Sequence, residues 1–316
     1  MIAPPLLVSF VSIDDYLDAL SPDLRDEHED EIRGLYAQKL PPIVSSRCLA
    51  VLFGFSTKFV NAMRLRNRRY YREFTIRQGK KKRKIQAPKV ALKVIQKWFG
   101  HHLTQALEVE DFVFGFVPGR SAVDAATRHC GSKWVYSVDI RNFFTTTDSD
   151  TVAQSLLELG YSQKACGLIV PLCSYGENLA QGAPSSPVLS NLVMKPIDEQ
   201  LRKLAEMYGV TFTRYADDIV FSGGNAFPDE LRGEVDQIFD QTCWSLSREK
   251  CQLAELEKGQ RLKVHGLLVH GDTPRLTKGY RNKMRAYRHL LATGKVHPDD
   301  EARIKGHLRY AESVGE

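Results

Sequence analysis

The chain has 316 residues, of which 43% are hydrophobic and 26% are charged, which is the composition of a soluble globular protein. No apolar run reaches the roughly 18 to 20 residues that a membrane span needs, and the first residues carry no basic leader, so we expect neither a membrane span nor a signal peptide. The six cysteines are scattered, without a Cys-x-x-Cys pair or a His at metal-ligand spacing, which predicts reduced, mostly buried thiols in a cytoplasmic protein without zinc.

The formal net charge of +6 conceals two segments of opposite sign. Residues 14–31 contain nine acids and one base, whereas residues 58–97 contain fifteen Lys or Arg and one acid, Glu73. Like charges packed together repel, and a polyanionic partner offsets that repulsion. Aromatic residues alternate with the bases in RLRNRRYYREF (64–74), a pattern that suits stacking on unpaired bases. We therefore favour nucleic-acid binding over a merely basic surface.

The spacing of apolar residues predicts several helices and a few short strands. An acidic helix begins the chain, and Pro41 and Pro42 end it. The further predicted elements, in chain order, are a helix over 92–107, a strand over 134–140, helices over 149–160 and 187–208, a hairpin over 211–222, a helix over 228–246 and two helices after Gly279. A few strands among packed helices predict the α+β class.

The hairpin sequence TRYADDIVFSGG, residues 213–224, places Asp217 and Asp218 side by side. By itself this pair favours a solvated turn, where Asp is common, over a functional site. A third acid, Asp139, ends the strand predicted over 134–140 and could instead cap a turn or helix. If that strand pairs with the hairpin, Asp139 and Asp217 meet at one point. Carboxylate oxygens are ligands that Mg²⁺ prefers, and a divalent ion would offset the repulsion between the acids.

Six motifs in order resemble those of reverse transcriptases. They are RKIQAPKVALKVIQKWF (83–99), FGFVPGRSAVDAATRH (114–129), SVDIRNFF (137–144), QGAPSSPVLSNL (181–192), RYADDIVFS (214–222) and LSREKCQL (246–253). The first two resemble fingers blocks of that family. The third and fifth resemble the palm blocks that carry the metal-binding aspartates, the fourth a nucleotide-pocket block, and the sixth a block with a palm lysine.

Within that family the sequence is most similar to bacterial retron reverse transcriptases. KVHGLLVHGDTPRLTKGYRNKMRAYRHLL (263–291) resembles the retron thumb, which begins Val-Thr-Gly, although His265 replaces the Thr here. The retron Asn-Ala-x-x-His insertion corresponds to residues 125–129, where Ala125 replaces the Asn. Both departures weaken the subtype more than the enzyme class. We expect no maturase, endonuclease or RNase H domain after this region.

The resemblance implies a right-hand polymerase fold, with fingers, a palm built of an antiparallel sheet packed on helices, and a helical thumb. The expected boundaries are an N-terminal helical region over 1–55, fingers over 56–130 with 150–185 partly interleaved, a palm over 131–262 and a thumb over 263–316.

The resemblance also implies roles for individual residues. Asp139, Asp217 and Asp218 would be catalytic and bind two Mg²⁺ ions, which Mn²⁺ could replace, with the backbone carbonyl of Ile140 as a further ligand. The expected nucleotide-binding residues are Arg83, Lys84, Phe144, Gln181, Gly182, Pro184, Ser185 and Lys250. The expected RNA-binding residues are Val264, His265, Gly266, Lys278, Arg281, Lys283, Arg285 and Arg288. Simple alternatives stay open: core packing for Phe144, surface lysines for Lys84 and Lys250, and structural or RNA-contacting roles for the histidines His129, His265 and His270.

The implied function is that of a retron RNA-directed DNA polymerase, a nucleotidyltransferase that copies part of a structured noncoding RNA into single-stranded DNA from dNTPs. Synthesis would start from an internal RNA 2′-OH and leave a branched RNA–DNA product, in anti-phage defence with a separate effector protein. The alternatives are another small group II intron-like or untemplated reverse transcriptase and, in a different class, an inactive RNA-binding scaffold. The presence of all three acids disfavours the scaffold.

Overall fold

The computed structural model describes residues 4–78 and 81–315, except for the side chains of Gln78 and Lys81. Residues 79 and 80 of the predicted basic segment therefore lie outside the described range. Within that range no single helix is both long and apolar enough to cross a membrane, although two short helices, Ser46–Phe53 and Thr57–Leu65, bent by 119°, meet that test together by length and composition.

Helices make up most of the regular structure. In chain order they are α1 (Ile13–Asp18), α2 (Pro22–Ala37), α3 (Ser46–Phe53), α4 (Thr57–Leu65), α5 (Val90–Ala106), α6 (Ala122–Thr127), α7 (Phe143–Thr146), α8 (Ser149–Glu158), α9 (Gln163–Cys173), α10 (Ser186–Tyr208), α11 (Glu230–Asp240), α12 (Lys278–Ala292) and α13 (Pro298–Ser313). The strands are β1 (Tyr71–Gln78), β2 (Lys81–Pro88), β3 (Trp134–Asp139), β4 (Ser174–Tyr175), β5 (Asn178–Leu179), β6 (Thr211–Tyr215), β7 (Asp218–Gly223), β8 (Gln252–Glu255), β9 (Lys263–Val264) and β10 (Leu267–Leu268).

The chain forms two compact units. The first unit contains residues 1–109 and 142–196, and the second contains 110–141 and 197–316. The predicted boundaries of fingers, palm and thumb follow a different partition and stay a prediction.

The first unit is built mostly of helices and carries an antiparallel hairpin. Strands β1 and β2 pair from Tyr71 opposite Pro88 to Gln78 opposite Lys81. The fully buried Gln96 of α5 donates from its Nε2 to the Tyr71 hydroxyl and to the Leu172 carbonyl, both at 2.7 Å. Because a buried amide is costly unless it is hydrogen-bonded, Gln96 ties the base of the hairpin to α9.

Two helix boundaries differ from the sequence-based prediction. The acidic start forms α1 and α2 rather than one helix, because α1 ends at its C-cap Ala19 and Pro22 starts a new helix at its first position. Helix α11 ends at Asp240 rather than 246. The Thr242 hydroxyl donates to the Phe239 carbonyl at 2.8 Å and accepts from the Trp244 N–H at 3.1 Å, which turns the chain away from helical geometry.

The six cysteines are free thiols, as the sequence predicts. Their burial is more mixed than predicted, since Cys48, Cys166 and Cys173 are buried whereas Cys243 is exposed. The other two are half-buried.

The second unit is organised around a four-stranded antiparallel sheet with the order β6-β7-β3-β8. The predicted hairpin over 211–222 is β6 and β7, and the predicted strand over 134–140 is β3. Strand β3 pairs with β7 from Trp134 opposite Gly223 to Asp139 opposite Asp218. The predicted pairing of strand and hairpin is therefore confirmed. Strand β3 is central in the sheet and buried on both faces, which explains its nearly continuous apolar sequence.

A buried histidine ties the two strands of the hairpin together. His129 is fully buried, and its ring nitrogens lie 2.7 Å from the hydroxyls of Ser222 in β7 and Thr213 in β6. Burial lowers the pKa of His129 to about 3, so its ring is neutral at physiological pH. Of the two roles that the sequence left open, His129 has the structural one.

A buried ion pair anchors the same hairpin to α10. The Arg214 guanidinium is fully buried and donates to both carboxylate oxygens of Asp198 at 2.6 Å. Its Nη1 also donates to the backbone carbonyl of Ala216 at 3.2 Å, in the turn between β6 and β7. Burial raises the pKa of Asp198, and the neighbouring guanidinium opposes this shift. Arg214 thus connects α10 to the turn that carries Asp217.

We expect Arg214→Met and Asp198→Leu each to lower the free energy of unfolding by about 3–5 kcal/mol, because each leaves its partner as an unpaired buried charge. The double variant removes both charges and should recover most of that loss. Urea unfolding followed by circular dichroism measures all three. As a control, Glu199→Gln removes an exposed partner of Arg202 and should leave the unfolding midpoint unchanged. A double variant as unstable as the single variants would contradict this view of the pair.

Candidate active site

The sequence YADD forms a tight turn at one end of the four-stranded sheet. Tyr215 pairs with Asp218, which leaves Ala216 and Asp217 as the two residues of the turn. Ala216 has a φ of 58°, in the left-handed region that residues with a Cβ adopt only at a cost. The turn is therefore strained, and the surrounding structure has to hold it.

Gly115 supplies part of that support. Residues 112–114 run beside β6, where the Phe114 N–H donates to the Arg214 carbonyl at 2.8 Å and the Arg214 N–H donates to the Phe112 carbonyl at 2.9 Å. This pairing brings Gly115 against the turn so closely that a Cβ on it would lie 2.1 Å from the Ala216 nitrogen. Only glycine fits there. Gly115 belongs to the motif FGF at 114–116. Its role depends on the contact with Ala216, which is distant in sequence.

Three carboxylates lie at this end of the sheet. Asp139 ends β3 directly opposite Asp218 in β7, and the Ile140 N–H donates to the Asp217 carbonyl at 3.1 Å. Asp139 is buried, Asp217 is half-buried and Asp218 is exposed. Burial raises the pKa of Asp217, and the charges of Asp218 and Asp139 raise it further. The structure thus brings together the three acids that the sequence singled out, with Asp218 rather than Asp217 directly opposite Asp139.

Lys250 neutralises part of this charge. Its Nζ forms an ion pair with Asp139 Oδ1, within a segment that the Ser247 N–H fixes by donating to the Asp139 carbonyl at 2.7 Å. Leu246 forms a β-bridge with Ile140, and this bridge is why the chain here is extended rather than helical. Lys250 is exposed, and its ion pair with Asp139 places it beside the carboxylate cluster.

His265 lies close to Asp218. It forms the turn between β9 and β10 together with Gly266, and their φ values are 49° and 84°. Its ring lies 5.1 Å from the ring of Tyr215, and its Nδ1 lies 3.7 Å from Asp218 Oδ2. Val264 is buried in the apolar core of this unit, so it anchors the turn. The residue that replaces the retron Thr is thus a neighbour of the acidic pair, whereas His270 is exposed.

The donor set fits a divalent cation. Three carboxylates with hard oxygen donors lie close enough for two of them to raise the pKa of the third, and the ammonium of Lys250 already contacts one of them as a cation. Among the described residues, however, no group of three or more His, Cys, Asp or Glu has the arrangement of a preformed metal site.

The expected triphosphate ligands Arg83 and Lys84 lie on opposite faces of β2, as neighbouring residues of a strand must. Lys84 forms an ion pair with Glu73 of β1, whose carboxylate also accepts from the Tyr175 hydroxyl. Arg83 is exposed and lies opposite Ile76 in the hairpin. The alternative for Lys84, a member of the basic surface, gains support from its ion pair.

The motif QGAPSSP is fastened to β2 by Gln86, which the sequence analysis missed. The Gln86 N–H donates to the Gln181 carbonyl at 2.9 Å, and the Gln181 N–H donates to Gln86 Oε1 at 3.0 Å. Gly182 has a φ of 121°, and a Cβ on it would lie 2.8 Å from Ile85 Cγ2. Pro184 is half-buried and Ser185 is buried. The motif RKIQAP contains Gln86, yet a single sequence gives no sign of its partner.

Phe143 and Phe144 separate into two environments. Phe143 is 3% exposed and packs in the core, whereas Phe144 is only half-buried. They start the short helix α7, which follows Asn142 in a left-handed conformation with a φ of 52°. Core packing therefore accounts for Phe143, and it accounts less well for Phe144.

The predicted RNA-binding bases lie on α12, which the sequence predicted to be helical. Lys278, Arg281, Lys283, Arg285 and Arg288 are all exposed. Lys283 lies over the rings of Tyr280 and Tyr287, at 5.9 and 5.2 Å from their centroids. Arg281, Arg285 and Arg288 line a common cavity instead. The five bases thus occupy at least two faces of the helix.

Comparison with known proteins decides the family. Residues 75–267 match the family described as reverse transcriptase (RNA-dependent DNA polymerase). This chain belongs to the reverse transcriptase family. Enzymes of this family use divalent metal ions, and the fold is the α+β fold that the sequence predicted.

The similar curated proteins are retron reverse transcriptases. Retron Ec86 reverse transcriptase of Escherichia coli is 32% identical over 248 residues, which cover 77% of this chain and 76% of that protein. Retron Mx65 reverse transcriptase of Myxococcus xanthus is 30% identical and Mx162 is 28% identical, with 73% and 85% of this chain covered. The chain spans 58% and 64% of the lengths of those two proteins. The predicted bacterial retron branch of the family is confirmed.

The solved structures to which this chain is similar include telomerases. Telomerase from Candida albicans in complex with a fragment of telomeric RNA gives a TM-score of 0.48 at 11% identity, over 70% of this chain and 50% of that one. Apo telomerase from Candida tropicalis gives a TM-score of 0.47 at 12% identity, over 66% of this chain and 48% of that one.

We expect Gly115→Ala to lower DNA synthesis by at least about 10-fold with little change in global stability, because an atom that cannot be accommodated displaces the turn carrying Asp217. Gly224→Ala is the matched control, since a Cβ there meets nothing within 4 Å. Primer extension and thermal unfolding, measured on the same preparations, separate the two effects. Full activity in Gly115→Ala would contradict the tight contact between Gly115 and the turn.

Proposed function

We propose that this protein is the RNA-directed DNA polymerase of a retron, which copies part of a structured noncoding RNA into single-stranded DNA. The observation that carries the proposal is the cluster of Asp139, Asp217 and Asp218 at the end of the four-stranded sheet, in a chain that belongs to the retron reverse transcriptases. A decayed scaffold would be expected to have lost at least one of these acids.

The proposed reaction joins a primer hydroxyl to the α-phosphate of a dNTP and releases pyrophosphate. Asp139 and Asp217, with Asp218 and the Ile140 carbonyl assisting, would hold two Mg²⁺ ions, which stabilise the attacking and leaving oxygens in such reactions. The strained turn and Gly115 keep Asp217 in position before any ligand arrives. Little covalent chemistry falls to the protein beyond this positioning and charge neutralisation.

Lys250 has two proposed tasks. Its ammonium pairs with Asp139 and so compensates the charge of that carboxylate. In the proposed reaction, the same ammonium would donate a proton or a hydrogen bond to the leaving pyrophosphate, and bound Mg²⁺ would compensate Asp139. An ammonium on a flexible stem suits such a change of partner.

The nucleotide-binding roles are proposed for residues of the first unit. Arg83 would bind the triphosphate, with Lys84 in a lesser role because Glu73 already pairs with it. Gln181, Gly182, Pro184 and Ser185 would form the pocket for the nucleotide. The hydrogen bonds between Gln86 and Gln181 support a rigid pocket, and rigidity favours discrimination between similar substrates.

The biological setting that we propose rests on the retron branch of the family. The template and primer would be one structured RNA, synthesis would begin at an internal 2′-OH, and the product would be branched. A separate effector protein, a role in anti-phage defence and a cytoplasmic location complete the proposal. The six free thiols agree with a reducing compartment.

We expect Asp217→Asn to lower dNTP incorporation by on the order of 10²- to 10³-fold, because a metal ligand contributes several kcal/mol to the transition state. The assay uses a primed RNA template with Mg²⁺ and measures labelled dNTP in product. Asp26→Asn, which changes an exposed acid of α2, is the matched control and should retain full incorporation. Equal dNTP incorporation by the wild type and by Asp217→Asn would contradict the assignment of this protein as a polymerase.

The same assay separates the retron from other small reverse transcriptases. A retron enzyme should extend its own noncoding RNA without an added primer and yield a product that keeps a 2′,5′ branch after alkaline digestion of the surrounding RNA. Efficient synthesis on generic primed templates alone, with no branched product, would favour the group II intron-like or untemplated alternative.

Phe144→Ala should admit ribonucleotides about 10- to 100-fold more readily relative to dNTPs, because the ring would no longer block a ribose 2′-OH. Phe144→Tyr keeps the ring and serves as the control that should retain discrimination. Competition between CTP and dCTP, measured as a ratio of kcat/KM values, checks the effect. Unchanged discrimination in Phe144→Ala would reduce Phe144 to a packing residue.

A further inference from the structure

A row of buried hydroxyl and imidazole groups crosses the hairpin of β6 and β7. The Ser132 hydroxyl donates to the Ser222 hydroxyl oxygen at 2.9 Å. His129 Nδ1 lies 2.7 Å from the same Ser222 oxygen, and His129 Nε2 lies 2.7 Å from the Thr213 hydroxyl oxygen. All four residues are buried. They therefore form one continuous hydrogen-bonded row away from water, which we call the His129 bridge.

The order of donors along the bridge indicates which ring nitrogen of His129 carries the hydrogen. The ring is neutral, because burial lowers the pKa of His129 to about 3, so one nitrogen donates and the other accepts. The Ser222 oxygen already accepts from Ser132. Its own hydrogen can then be donated to Nδ1, which leaves Nε2–H to donate to Thr213. The opposite tautomer would give the Ser222 oxygen two donors and leave its own hydrogen without a partner in the bridge.

The bridge lies on the face of the sheet that carries Asp139 and Asp218. Alternate residues of a strand and directly opposite residues of two strands share a face. Thr213 precedes by two residues Tyr215, which pairs with Asp218, and Asp218 in turn lies opposite Asp139. Ser222 follows Asp218 by four residues in β7, so it has the same orientation. Two residues of a strand span roughly 7 Å, so the bridge holds the hairpin close to the acids.

The segment that carries His129 is anchored at both ends. Ser121 and Asp124 form a capping box at the start of α6. After His129, the Gly131 N–H donates to the carbonyls of Val269 and Gly271, at 3.1 and 3.0 Å. These contacts involve neither β6 nor β7. His129 can therefore fix the hairpin from a support that does not belong to the hairpin.

We propose that His129, protonated at Nε2, is a positioning residue for DNA synthesis that fixes the hairpin carrying Asp217 and Asp218. The surrounding cluster is apolar and includes Ala126 and Val220. A shift of the hairpin would leave a donor or an acceptor of the bridge unpaired in that cluster, which costs free energy. Without the bridge, the strained turn at Ala216 could relax, and displaced metal ligands lower the rate of the reaction that they support.

This inference rests on the proposed function, because it takes Asp139, Asp217 and Asp218 as the acids that bind the metal ions. It adds residues that contact none of these acids through their own side chains. The expected signature is a change in kcat with little change in the KM for dNTP, because the bridge touches no substrate in this account.

Three substitutions in β6 separate the hydrogen bond from the shape of the side chain. Thr213→Val keeps the shape and removes the acceptor of Nε2–H, and we expect it to lower kcat about 10-fold with the KM for dTTP within about twofold of the wild type. Thr213→Ser keeps the hydroxyl and should retain most of kcat. Thr211→Val is the matched control, since Thr211 lies on the same face of the same strand and His129 bonds to Thr213 instead.

Primer extension on a primed RNA template with Mg²⁺ gives kcat and KM, at a temperature well below the unfolding midpoint of each variant. If Thr213→Val is unfolded at that temperature, Ser222→Ala takes its place, with the same expected loss of kcat. The inference is overturned if Thr213→Val has the kcat of the wild type. It is also overturned if Thr213→Ser loses as much kcat as Thr213→Val, because the shape of threonine would then matter rather than its hydroxyl.

Nuclear magnetic resonance tests the tautomer without any measurement of activity. Proton–nitrogen correlation spectra of the histidine side chains distinguish a protonated from an unprotonated ring nitrogen, and His129→Gln identifies the signals of His129 by their loss. We expect a neutral ring with its hydrogen on Nε2. A ring protonated at Nδ1, or at both nitrogens, at neutral pH would overturn the inferred order of donors.

The same preparations keep this inference separate from the proposed function. Normal synthesis by the wild type, a loss in Asp217→Asn and no loss in Thr213→Val would overturn the inference alone. Equal synthesis by the wild type and by Asp217→Asn would overturn the proposed roles of the acids instead, whatever the tautomer of His129.

Discussion

Mutual repulsion among three carboxylates is the constraint around which the second unit is arranged. Asp139 and Asp218 are direct cross-strand partners, and like charges in that relation destabilise a sheet. Asp217 lies beside them in the turn, where burial makes its charge more costly still. The ion pair of Lys250 with Asp139 reduces this repulsion. Such a cluster fits the divalent metal ions that enzymes of this family use.

Contacts outside the carboxylate cluster fix the turn that carries Asp217. Arg214, which is paired with Asp198, donates a hydrogen bond to the Ala216 carbonyl. Gly115 allows a neighbouring segment to pack against the turn. Further from the turn, His129 joins the two strands of the hairpin through the hydroxyls of Thr213 and Ser222. Strain at Ala216 persists because these contacts together determine the position of the turn. The acids are thus positioned before any ligand binds.

The elements that depend on local pattern could be predicted from the sequence. Strand-forming residues followed by two glycines indicated the hairpin, and an apolar run indicated β3. The order of the motifs indicated Asp139 and the pair Asp217 and Asp218. The end of α11 was wrong because Thr242 and the bridge between Leu246 and Ile140 override helical spacing. The single acidic helix was wrong because Ser21 and Pro22 start a second helix, and this start signal was not recognised.

The contacts that join distant residues could not be predicted. Gln86 and Gln181 are hydrogen-bonded across 95 residues, and Lys250 and Asp139 are paired across 111. Arg214 was visible only as the residue before Tyr215, and nothing in one sequence marks it as fully buried.

Anomalous diffraction from crystals soaked in Mn²⁺ tests the central claim most directly, because it locates the metal without relying on activity. The account predicts an anomalous peak in contact with the carboxylates of Asp139 and Asp217, with the Lys250 ammonium moved away from Asp139. The same soak of Asp217→Asn should lose or weaken that peak. A peak elsewhere, or none at these acids while Lys250 stays paired with Asp139, would contradict the claim that this cluster is a metal centre.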